Sequence, residues 1–235
     1  VEVTGGGMLI EGSSPTLEDL VFRENAAYQT CGTDGGAAVY CDSGASPVIR
    51  GCVFLSNTAY RGGGIYCRDG SDPVITECTF ADNAGDYFAA GIFCFDSSPT
   101  VERCVVAYSE TGGPITCAEG SDPMVSRCVF FGNPYGDEPC GAASDMLFAD
   151  PLFCDLEGGD VSVCDDSPCL PANNPFGVLI GARGASDCPC PPVTGRTLRV
   201  PGEYATIEDA LAGLVARRTF LVPAGTYPER RLRIP

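Results

Sequence analysis

The sequence predicts an all-β protein folded as a right-handed parallel β-helix, with one short capping α-helix near the C-terminus. Two observations carry this prediction. The first 135 residues contain five copies of one short pattern, and a fixed repeat of about 20 to 50 residues is typical of solenoids. The chain also has 30 glycines in 235 residues and is only 19% charged, a composition that favours turns and short strands.

Each copy of the pattern is interpreted as one coil of the solenoid. The copies begin at Gly5, Gly35, Gly62, Ala89 and Gly112. Each holds two or three short runs of Ile, Val, Phe and Cys separated by Gly, Ser, Asp and Pro clusters, which predicts strands and turns. Successive coils should stack about 4.8 Å apart, so that equivalent residues form columns. One aliphatic column is expected from Leu17, Ile49, Ile75, Val101 and Val125.

A polar column is expected at the turn that follows the last strand of each coil. This position carries Asn25, Asn57, Asn83, Ser109 and Asn133. Stacked asparagine side chains can hydrogen-bond along the helix axis and satisfy turn backbone groups. The alternative is that asparagine is used there only because it tolerates a left-handed turn.

The cysteines predict disulfides and an oxidising compartment. The chain has 15 cysteines and no histidine, and it lacks the Cys-x-x-Cys pairs that would indicate zinc or thiol redox chemistry. Four coils carry two cysteines each, 10 or 11 positions apart: Cys41 and Cys52, Cys67 and Cys78, Cys94 and Cys104, and Cys117 and Cys128.

In the first coil both cysteine positions are aliphatic, Ile10 and Leu20, so both face the core. Because the two positions change together, we expect a disulfide that crosses the interior within each coil. Small buried thiols are the alternative. Cys31 and Cys140 are expected outside the two columns. The sequence leaves open the pairing of Cys31, Cys140, Cys154, Cys164, Cys169, Cys188 and Cys190.

Three motifs connect the chain to a known family. They are SDPVITECTFADN and its copies, FADPLFCDLEGGDVSVCDDSPCLP from Phe148, and TLRVPGEYATIEDALAGLVARRTFLVPAGTYPE from Thr197. With these motifs the sequence resembles secreted bacterial right-handed β-helix repeat proteins with a pectate-lyase-like fold. The resemblance implies an extracellular or cell-surface location and the β-helix fold, but no particular activity.

The motifs divide the chain into four parts. These are five coils in 1–135, the final coil or coils with a closing segment in 136–183, a Pro/Cys linker in 184–196, and a cap-like segment in 197–235. In the family such a cap opens the domain, whereas here it comes last. The assembly residues of the cap are its predicted N-cap Thr206, the apolar helix face, and the following strand. The face and strand residues are Ile207, Leu211, Leu214, Phe220 and Val222.

The displaced cap allows three arrangements. It can fold back over the first coil of its own chain, cap the first coil of the next subunit, or begin a second β-helix in a longer polypeptide. Five coils separate the two ends by roughly 25 Å, a distance that the sixteen residues GARGASDCPCPPVTGR could span. Their prolines make an extended spacer pointing away from the last coil at least as natural. We therefore expect capping in trans, which gives a homopolymer joined head to tail.

We expect no catalysis and no obligatory cofactor. The acidic residues recur at turns instead of clustering, and histidine and lysine are absent. Weak calcium binding is a secondary expectation for Asp69, Asp72, Asp96 and Asp122. A net charge of −17 disfavours nucleic acid and anionic membranes, and no apolar run approaches the roughly 20 residues of a spanning helix.

Binding of extracellular glycans is the alternative function. Tyr40, Tyr66 and Phe93 are predicted to point outward at one register, followed by Thr116. An exposed aromatic row of this kind suits a sugar platform, although it is also compatible with ordinary stacking between coils. A polysaccharide lyase or hydrolase ranks below the glycan-binding adhesin.

Overall fold

The computed structural model describes residues 6–27, 36 and 38–190, together with two short strands, Thr197–Arg199 and Thr219–Leu221. The chain forms two compact units, Val1–Cys190 and Pro191–Pro235. The first unit is built from three parallel sheets, and the part of the chain that the structure describes contains no helix. The all-β parallel β-helix predicted from the repeats is confirmed.

The first sheet stacks the strand that opens each coil. Its strands are β1 (Met8–Glu11), β5 (Val39–Asp42), β9 (Ile65–Arg68), β12 (Ala84–Phe95) and β15 (Thr111–Ala118). The short strands β4 (Ala26–Ala27) and β8 (Thr58–Ala59) join the same sheet through the start of β12. Pairing is parallel, with Tyr40 opposite Tyr66 and Tyr66 opposite Phe93.

The second and third sheets use three-residue strands. The second contains β2 (Thr16–Glu18), β6 (Val48–Arg50), β10 (Val74–Thr76), β13 (Thr100–Glu102), β16 (Met124–Ser126) and β18 (Ala142–Ser144). The third contains β3 (Val21–Arg23), β7 (Val53–Leu55), β11 (Thr79–Ala81), β14 (Val105–Ala107) and β17 (Val129–Phe131).

A single residue in the left-handed region bends the chain between the second and third sheets. This residue is Asp19, Gly51, Glu77, Arg103 or Arg127, with φ between 52° and 62°. The next residue is a cysteine in four coils, and it begins the path into the third sheet. A second left-handed residue after the third sheet precedes the asparagine position, as Asp82 precedes Asn83.

The core is filled by columns, as the repeat predicts. Leu17, Ile49, Ile75, Val101 and Val125 are all buried and belong to one hydrophobic cluster. Phenylalanines of the third sheet stack beside them, with ring centroids 5.1 Å apart for Phe22 and Phe54 and 4.5 Å apart for Phe54 and Phe80. The expected aliphatic column is confirmed.

A partial sixth coil follows the five predicted ones. Strand β18 pairs in register with β16, and Leu147 forms a parallel bridge with Val129. Between them, Asp145 takes the left-handed bend (φ 56°) and Met146 occupies the position of the second cysteine column.

Residues 148–190 cover the side of the solenoid. They form an antiparallel hairpin, β19 (Phe153–Asp155) and β20 (Asp160–Val163), followed by turns. Phe153, Val161 and Ile180 pack on the outer face of the third sheet, in a cluster that includes Leu55 and Val105. We call residues 148–190 the flank segment.

The flank segment runs back beside earlier coils. The backbone N–H of Ala182 donates to Thr79 Oγ1 (2.9 Å), and that of Gly181 donates to the Arg103 carbonyl (2.8 Å). Disulfides Cys154–Cys188 and Cys164–Cys190 tie its end to the hairpin. Burial of the third sheet therefore holds the chain on the side of the solenoid as far as Cys190, and the rest of the predicted linker lies outside the described residues.

The second unit contains one described pair of strands, β21 (Thr197–Arg199) and β22 (Thr219–Leu221). They are parallel, with Thr197 opposite Thr219 and Leu198 opposite Phe220. The predicted cap residues Thr206, Ile207, Leu211, Leu214 and Val222 lie outside the described residues.

Candidate functional site

The cysteines form two columns of stacked side chains. In the first column Cys41 lies opposite Cys67, Cys67 opposite Cys94, and Cys94 opposite Cys117. The second column contains Cys52, Cys78, Cys104 and Cys128, each fully buried at the bend before the third sheet.

The predicted disulfides within coils are wrong. Free thiols are found at Cys41, Cys52, Cys67, Cys78, Cys94, Cys104 and Cys128. The remaining predicted member, Cys117, is bonded to Cys140. Stacking is the physical reason, because an in-register parallel sheet brings the equivalent residue of the next coil closer than a residue on another sheet. The alternative, buried thiols acting as small apolar residues, matches the structure.

The second-column thiols also satisfy backbone groups at the bends. Each donates to the carbonyl two residues earlier, as Cys78 Sγ does to the Thr76 carbonyl at 3.2 Å and Cys104 Sγ to that of Glu102 at 3.3 Å. Burial raises the pKa of Cys94 to about 12 and also raises the pKa of Cys104. Cys94, in the first column, and Cys104, in the second, are therefore neutral at pH 7 and unsuited to nucleophilic chemistry.

The asparagine column forms the predicted ladder. Asn57 Oδ1 accepts from the backbone N–H of Asn25 (3.0 Å) and from Asn25 Nδ2 (2.9 Å), and Asn83 Oδ1 accepts in the same way from Asn57. Asn57 Nδ2 also donates to the Phe22 carbonyl at 3.0 Å. Ser109 donates to Asn133 Oδ1 at 2.5 Å. The prediction of a hydrogen-bonded ladder is confirmed.

A second ladder of side-chain oxygens supports the turn between the first and second sheets. The Ser46 N–H donates to Ser14 Oγ, the Asp72 N–H to Ser46 Oγ, and the Asp122 N–H to Ser98 Oγ. Asp72 Oδ1 accepts from the Ser98 N–H at 2.5 Å. The serine and aspartate repeat before each proline thus has a structural role.

The four calcium candidates are distributed along these turns. Asp69 and Asp96 adopt left-handed conformations (φ 50° for both), and Asp69 pairs with Arg68 at 3.2 Å. Asp72 and Asp122 occupy the same position two coils apart. No group of three or more Cys, Asp or Glu residues suited to a metal ion is found among the described residues. Calcium binding stays a prediction.

The aromatic row lies outside the main core but is covered. Tyr40, Tyr66 and Phe93 are each at most 1% exposed, and their ring centroids are 4.9 and 5.2 Å apart along the row. The extended start of β12 brings Phe88 to 4.8 Å from Phe93, and the Arg61 guanidinium lies 5.3 and 5.7 Å from these two rings. The row points outward and is in register, as predicted. The prediction that it forms an exposed platform for sugars is wrong, because its rings are buried.

The outer face of the second sheet is exposed, unlike the outer faces of the first and third sheets. Val48, Val74 and Met124 lie in one row, 41%, 41% and 61% exposed. Beside this row, carboxylates and guanidiniums of neighbouring coils form ion pairs. The pairs are Glu18 with Arg50, Glu77 with Arg103, and Glu102 with Arg127.

A small cavity of about 140 Å³ lies between the flank segment and the third sheet. Its polar groups come from Arg23, Asp160 and Arg183, and its apolar wall includes Leu55 and Val161. Gly159 suits this position because its φ of 87° lies in the left-handed region that favours glycine. Sequence reasoning missed this cavity because its walls come from segments more than a hundred residues apart.

Comparison with known families agrees with this architecture. Residues 2–149 match the model of the right handed beta helix region, and the chain belongs to this family. The family includes both enzymes and non-enzymes. No curated protein and no solved structure matches the chain. Among the described residues, no helix is long and apolar enough to cross a membrane.

Proposed function

We propose that this protein is an extracellular structural β-helix subunit, without catalytic activity, that assembles head to tail through residues 197–235. The observation that carries the proposal is the strand pair of the second unit. Thr197 lies opposite Thr219 in parallel register, 22 positions later, much as Thr100 lies opposite Met124 in the first unit. The described strand pair of the second unit thus has the parallel pairing and a spacing similar to that of the coils.

Strand edges provide the means of assembly. Parallel strands with unpaired edges accept a further strand through backbone hydrogen bonds. Among the described residues, β1 pairs only with β5, β2 only with β6, and β3 only with β7. The strand pair of residues 197–235 is the complementary element, and its addition to the first coil of a neighbour extends the solenoid from subunit to subunit.

The surface of the first unit supports a structural role. The outer face of the third sheet is buried under the flank segment, and the aromatic row of the first sheet is covered by Phe88 and Arg61. On the second sheet, Arg50, Arg103 and Arg127 are in ion pairs with carboxylates of neighbouring coils. A polysaccharide lyase needs a basic group directed at its substrate, whereas these three arginines are engaged with carboxylates, which favours a structural role for this face.

An extracellular location is supported by the cysteines. Three disulfides, Cys117–Cys140, Cys154–Cys188 and Cys164–Cys190, are consistent with an oxidising compartment. The net charge of −17 makes nucleic acid and anionic membranes unfavourable partners and keeps a soluble subunit from associating laterally.

Closure within one chain is the competing arrangement, and the flank segment favours it. Cys190 is tied to Cys164, and Ala182 lies beside Thr79 of the third coil. The linker therefore starts along the side of the solenoid, nearer to the first coil than the length of five coils implies. Capping in cis yields a monomer and capping in trans yields a filament, so the two are separated by their dependence on concentration.

The test is the assembly state of the full chain and of a chain that ends at residue 196, measured by sedimentation velocity and electron microscopy. We expect filaments whose length grows with concentration for the full chain, and monomers for the shortened one. The paired substitutions Ile207→Asp and Glu208→Gln, on the predicted apolar and polar faces of the cap helix, should respectively abolish and preserve assembly. A full chain that stays monomeric at every concentration, or filaments without residues 197–235, contradicts the proposal.

Glycan binding is the second candidate, and the flank cavity favours it. Guanidinium and carboxylate groups beside an aliphatic wall suit the hydroxyl groups and ring of a sugar. Arg183→Gln should abolish any binding seen on a glycan array. Arg50→Gln, the same charge change on the second sheet, should leave it intact. Binding that survives Arg183→Gln places the sugar elsewhere.

A further inference from the structure

The disulfide Cys117–Cys140 joins two stacked coils. The backbone N–H of Cys140 donates to the Ile115 carbonyl at 3.3 Å, which continues the parallel stack of the first sheet into the sixth coil. Cys140 therefore extends the first cysteine column beyond Cys117, with a Cα–Cα distance of 5.8 Å across the bridge. A covalent bond along the solenoid axis is thus already a feature of this fold.

Other thiols stand in the same relation to one another. Cys41 lies opposite Cys67 in an in-register parallel pair. In such a pair the Cα atoms are about 4.8 Å apart, which falls within the range of roughly 4.4 to 6.8 Å that disulfides span. The two thiols also share a hydrogen bond, which together with burial raises the pKa of Cys67.

The second column places its four thiols in consecutive coils. The Thr79 N–H donates to the Cys52 carbonyl at 3.0 Å, and the Val129 N–H donates to the Cys104 carbonyl at 2.9 Å. The Cys104 N–H donates to Cys128 Sγ at 3.4 Å. Side-chain hydrogen bonds also link the Cys52 thiol to that of Cys78, and the Cys104 thiol to those of Cys78 and Cys128. Both columns belong to the main core cluster.

The number of thiols in the second column determines a unique full pairing. Four thiols in the second column pair completely only as Cys52–Cys78 and Cys104–Cys128, because a central Cys78–Cys104 bond leaves the two outer thiols without a neighbour. In the first column Cys117 and Cys140 are already joined, and the hydrogen bond selects Cys41 and Cys67 from the remaining three.

We propose that the thiol columns are a site of oxidative modification that forms three disulfides between coils: Cys41–Cys67, Cys52–Cys78 and Cys104–Cys128. Cys94 and Cys169 remain thiols. The oxidant is a small disulfide of the oxidised-glutathione class. One protein thiolate attacks it and releases one small thiol, and the second protein thiolate displaces the other. One S–S bond forms, one small disulfide is reduced, and the two protons leave on the released thiols.

The modification must precede closure of the solenoid. All six thiols are fully buried, so the oxidant reaches them while the coils are forming. The product is a solenoid stapled along its axis, in which each bridge links two consecutive coils. This inference does not depend on the proposed assembly function.

The test is a disulfide map of the full chain. The protein is reduced, unfolded, refolded in a buffer of oxidised and reduced glutathione, alkylated and digested with trypsin without reduction. Because the chain has no lysine, trypsin cuts only at arginine. Bridges between coils join peptide 24–50 to 62–68 and 51–61 to 69–103, and Cys104–Cys128 adds a second bridge between 104–127 and 128–183, which Cys117–Cys140 already joins. Bridges within coils join 24–50 to 51–61 and 62–68 to 69–103 instead.

Fragmentation assigns the bonded cysteine wherever a peptide holds more than one. We expect the three links between coils, with the alkylating group on Cys94 and Cys169. Links within coils, or alkylation of all six cysteines of the three proposed bridges, would overturn the proposal. The same map of protein secreted by an oxidising expression host, which needs no refolding, gives an independent reading.

Two variants in one column provide matched controls. Cys67→Ala and Cys94→Ala both replace a fully buried residue of the first sheet. Cys67→Ala should remove the link between peptides 24–50 and 62–68 and leave Cys41 alkylated. Cys94→Ala should leave all three links unchanged, and any rearrangement in it contradicts the assigned pairing.

Discussion

At the residue scale, each corner of the solenoid depends on a side chain that satisfies the backbone of the turn. Asn57 is fully buried, and its amide accepts from Asn25 while donating to Asn83 and to the Phe22 carbonyl. A buried backbone group without a partner costs about 1 to 3 kcal/mol. A ladder removes this cost at every coil, which explains why the position favours asparagine.

Asn57→Ala is expected to lower the free energy of unfolding by about 3 kcal/mol, because it leaves groups of Asn25 and Phe22 without partners. Asn25→Ala, at the end of the same ladder and partly exposed, should cost about 1 kcal/mol. Urea unfolding followed by circular dichroism measures both. Equal losses in the two variants would show that the interior of the ladder is no more important than its end.

The buried thiols make stability depend on pH in the alkaline range. Burial raises the pKa of Cys94 from 9.0 to about 12. Below pH 9 both folded and unfolded chains hold the proton, so the contribution of Cys94 to stability is complete. Between pH 9 and 12 only the unfolded chain releases the proton, and stability falls by about 1.4 kcal/mol per pH unit.

The comparison with Cys94→Ala isolates this effect. The difference in unfolding free energy between the parent protein and the variant should be constant from pH 7 to 8.5 and should shrink steadily above pH 9. Urea unfolding at a series of pH values provides the measurement. A difference that does not change up to pH 11 would mean that water reaches this thiol.

At the scale of the elements, the strands are only two to four residues long at most positions, and their stability comes from stacking. Gly63, just before strand β9 of the first sheet, lies where the backbones of adjacent coils approach closely. At Gly63 a Cβ would lie 2.5 Å from the Ala84 carbonyl oxygen and 2.9 Å from that of Ala90. Backbone atoms of the next coil cannot give way without breaking their own hydrogen bonds.

Gly63→Ala should therefore destabilise the protein by about 2 kcal/mol or more through overpacking. Gly184→Ala is the control, since a Cβ at this position has nothing within 4 Å, and it should change stability by less than about 0.5 kcal/mol. Thermal and urea unfolding of the two variants give the comparison. A neutral Gly63→Ala would mean that neighbouring coils shift apart easily.

At the scale of the whole molecule, the flank segment gives the stack of coils a second hydrophobic core, on the outer face of the third sheet. Coils of a solenoid contact mainly their neighbours, but residues 148–190 contact the third sheet from Leu55 to Val129. Distant coils are therefore held by one segment, and the disulfides Cys154–Cys188 and Cys164–Cys190 keep that segment closed.

Ile180→Ala tests this coupling. Ile180 is fully buried against the third sheet although it lies outside the repeats, so its truncation should cost about 3 kcal/mol. Val178→Ala, partly exposed in the same segment, should cost less than about 1 kcal/mol. Urea unfolding should remain a single transition in both variants. A separate early transition in Ile180→Ala would show that the flank segment unfolds independently of the coils.

The sequence by itself determined the coils, their register and their core columns, because each coil repeats the same pattern of apolar strand residues and turn residues. The aliphatic column from Leu17 to Val125 and the asparagine ladder follow from spacing alone, since in a parallel stack equivalent positions necessarily meet. The outward register of Tyr40, Tyr66 and Phe93 followed in the same way.

Only the tertiary structure decided which of these positions are accessible and which cysteines bond. Cover of the aromatic row by Phe88 and Arg61, the path of the flank segment, and the two-arginine cavity all arise where parts outside the repeat pack on it. The Cys117–Cys140 bond depends on a chain that re-enters the stack after Asn133 without a repeat motif. Such contacts join residues with no common period, so no spacing in the sequence encodes them.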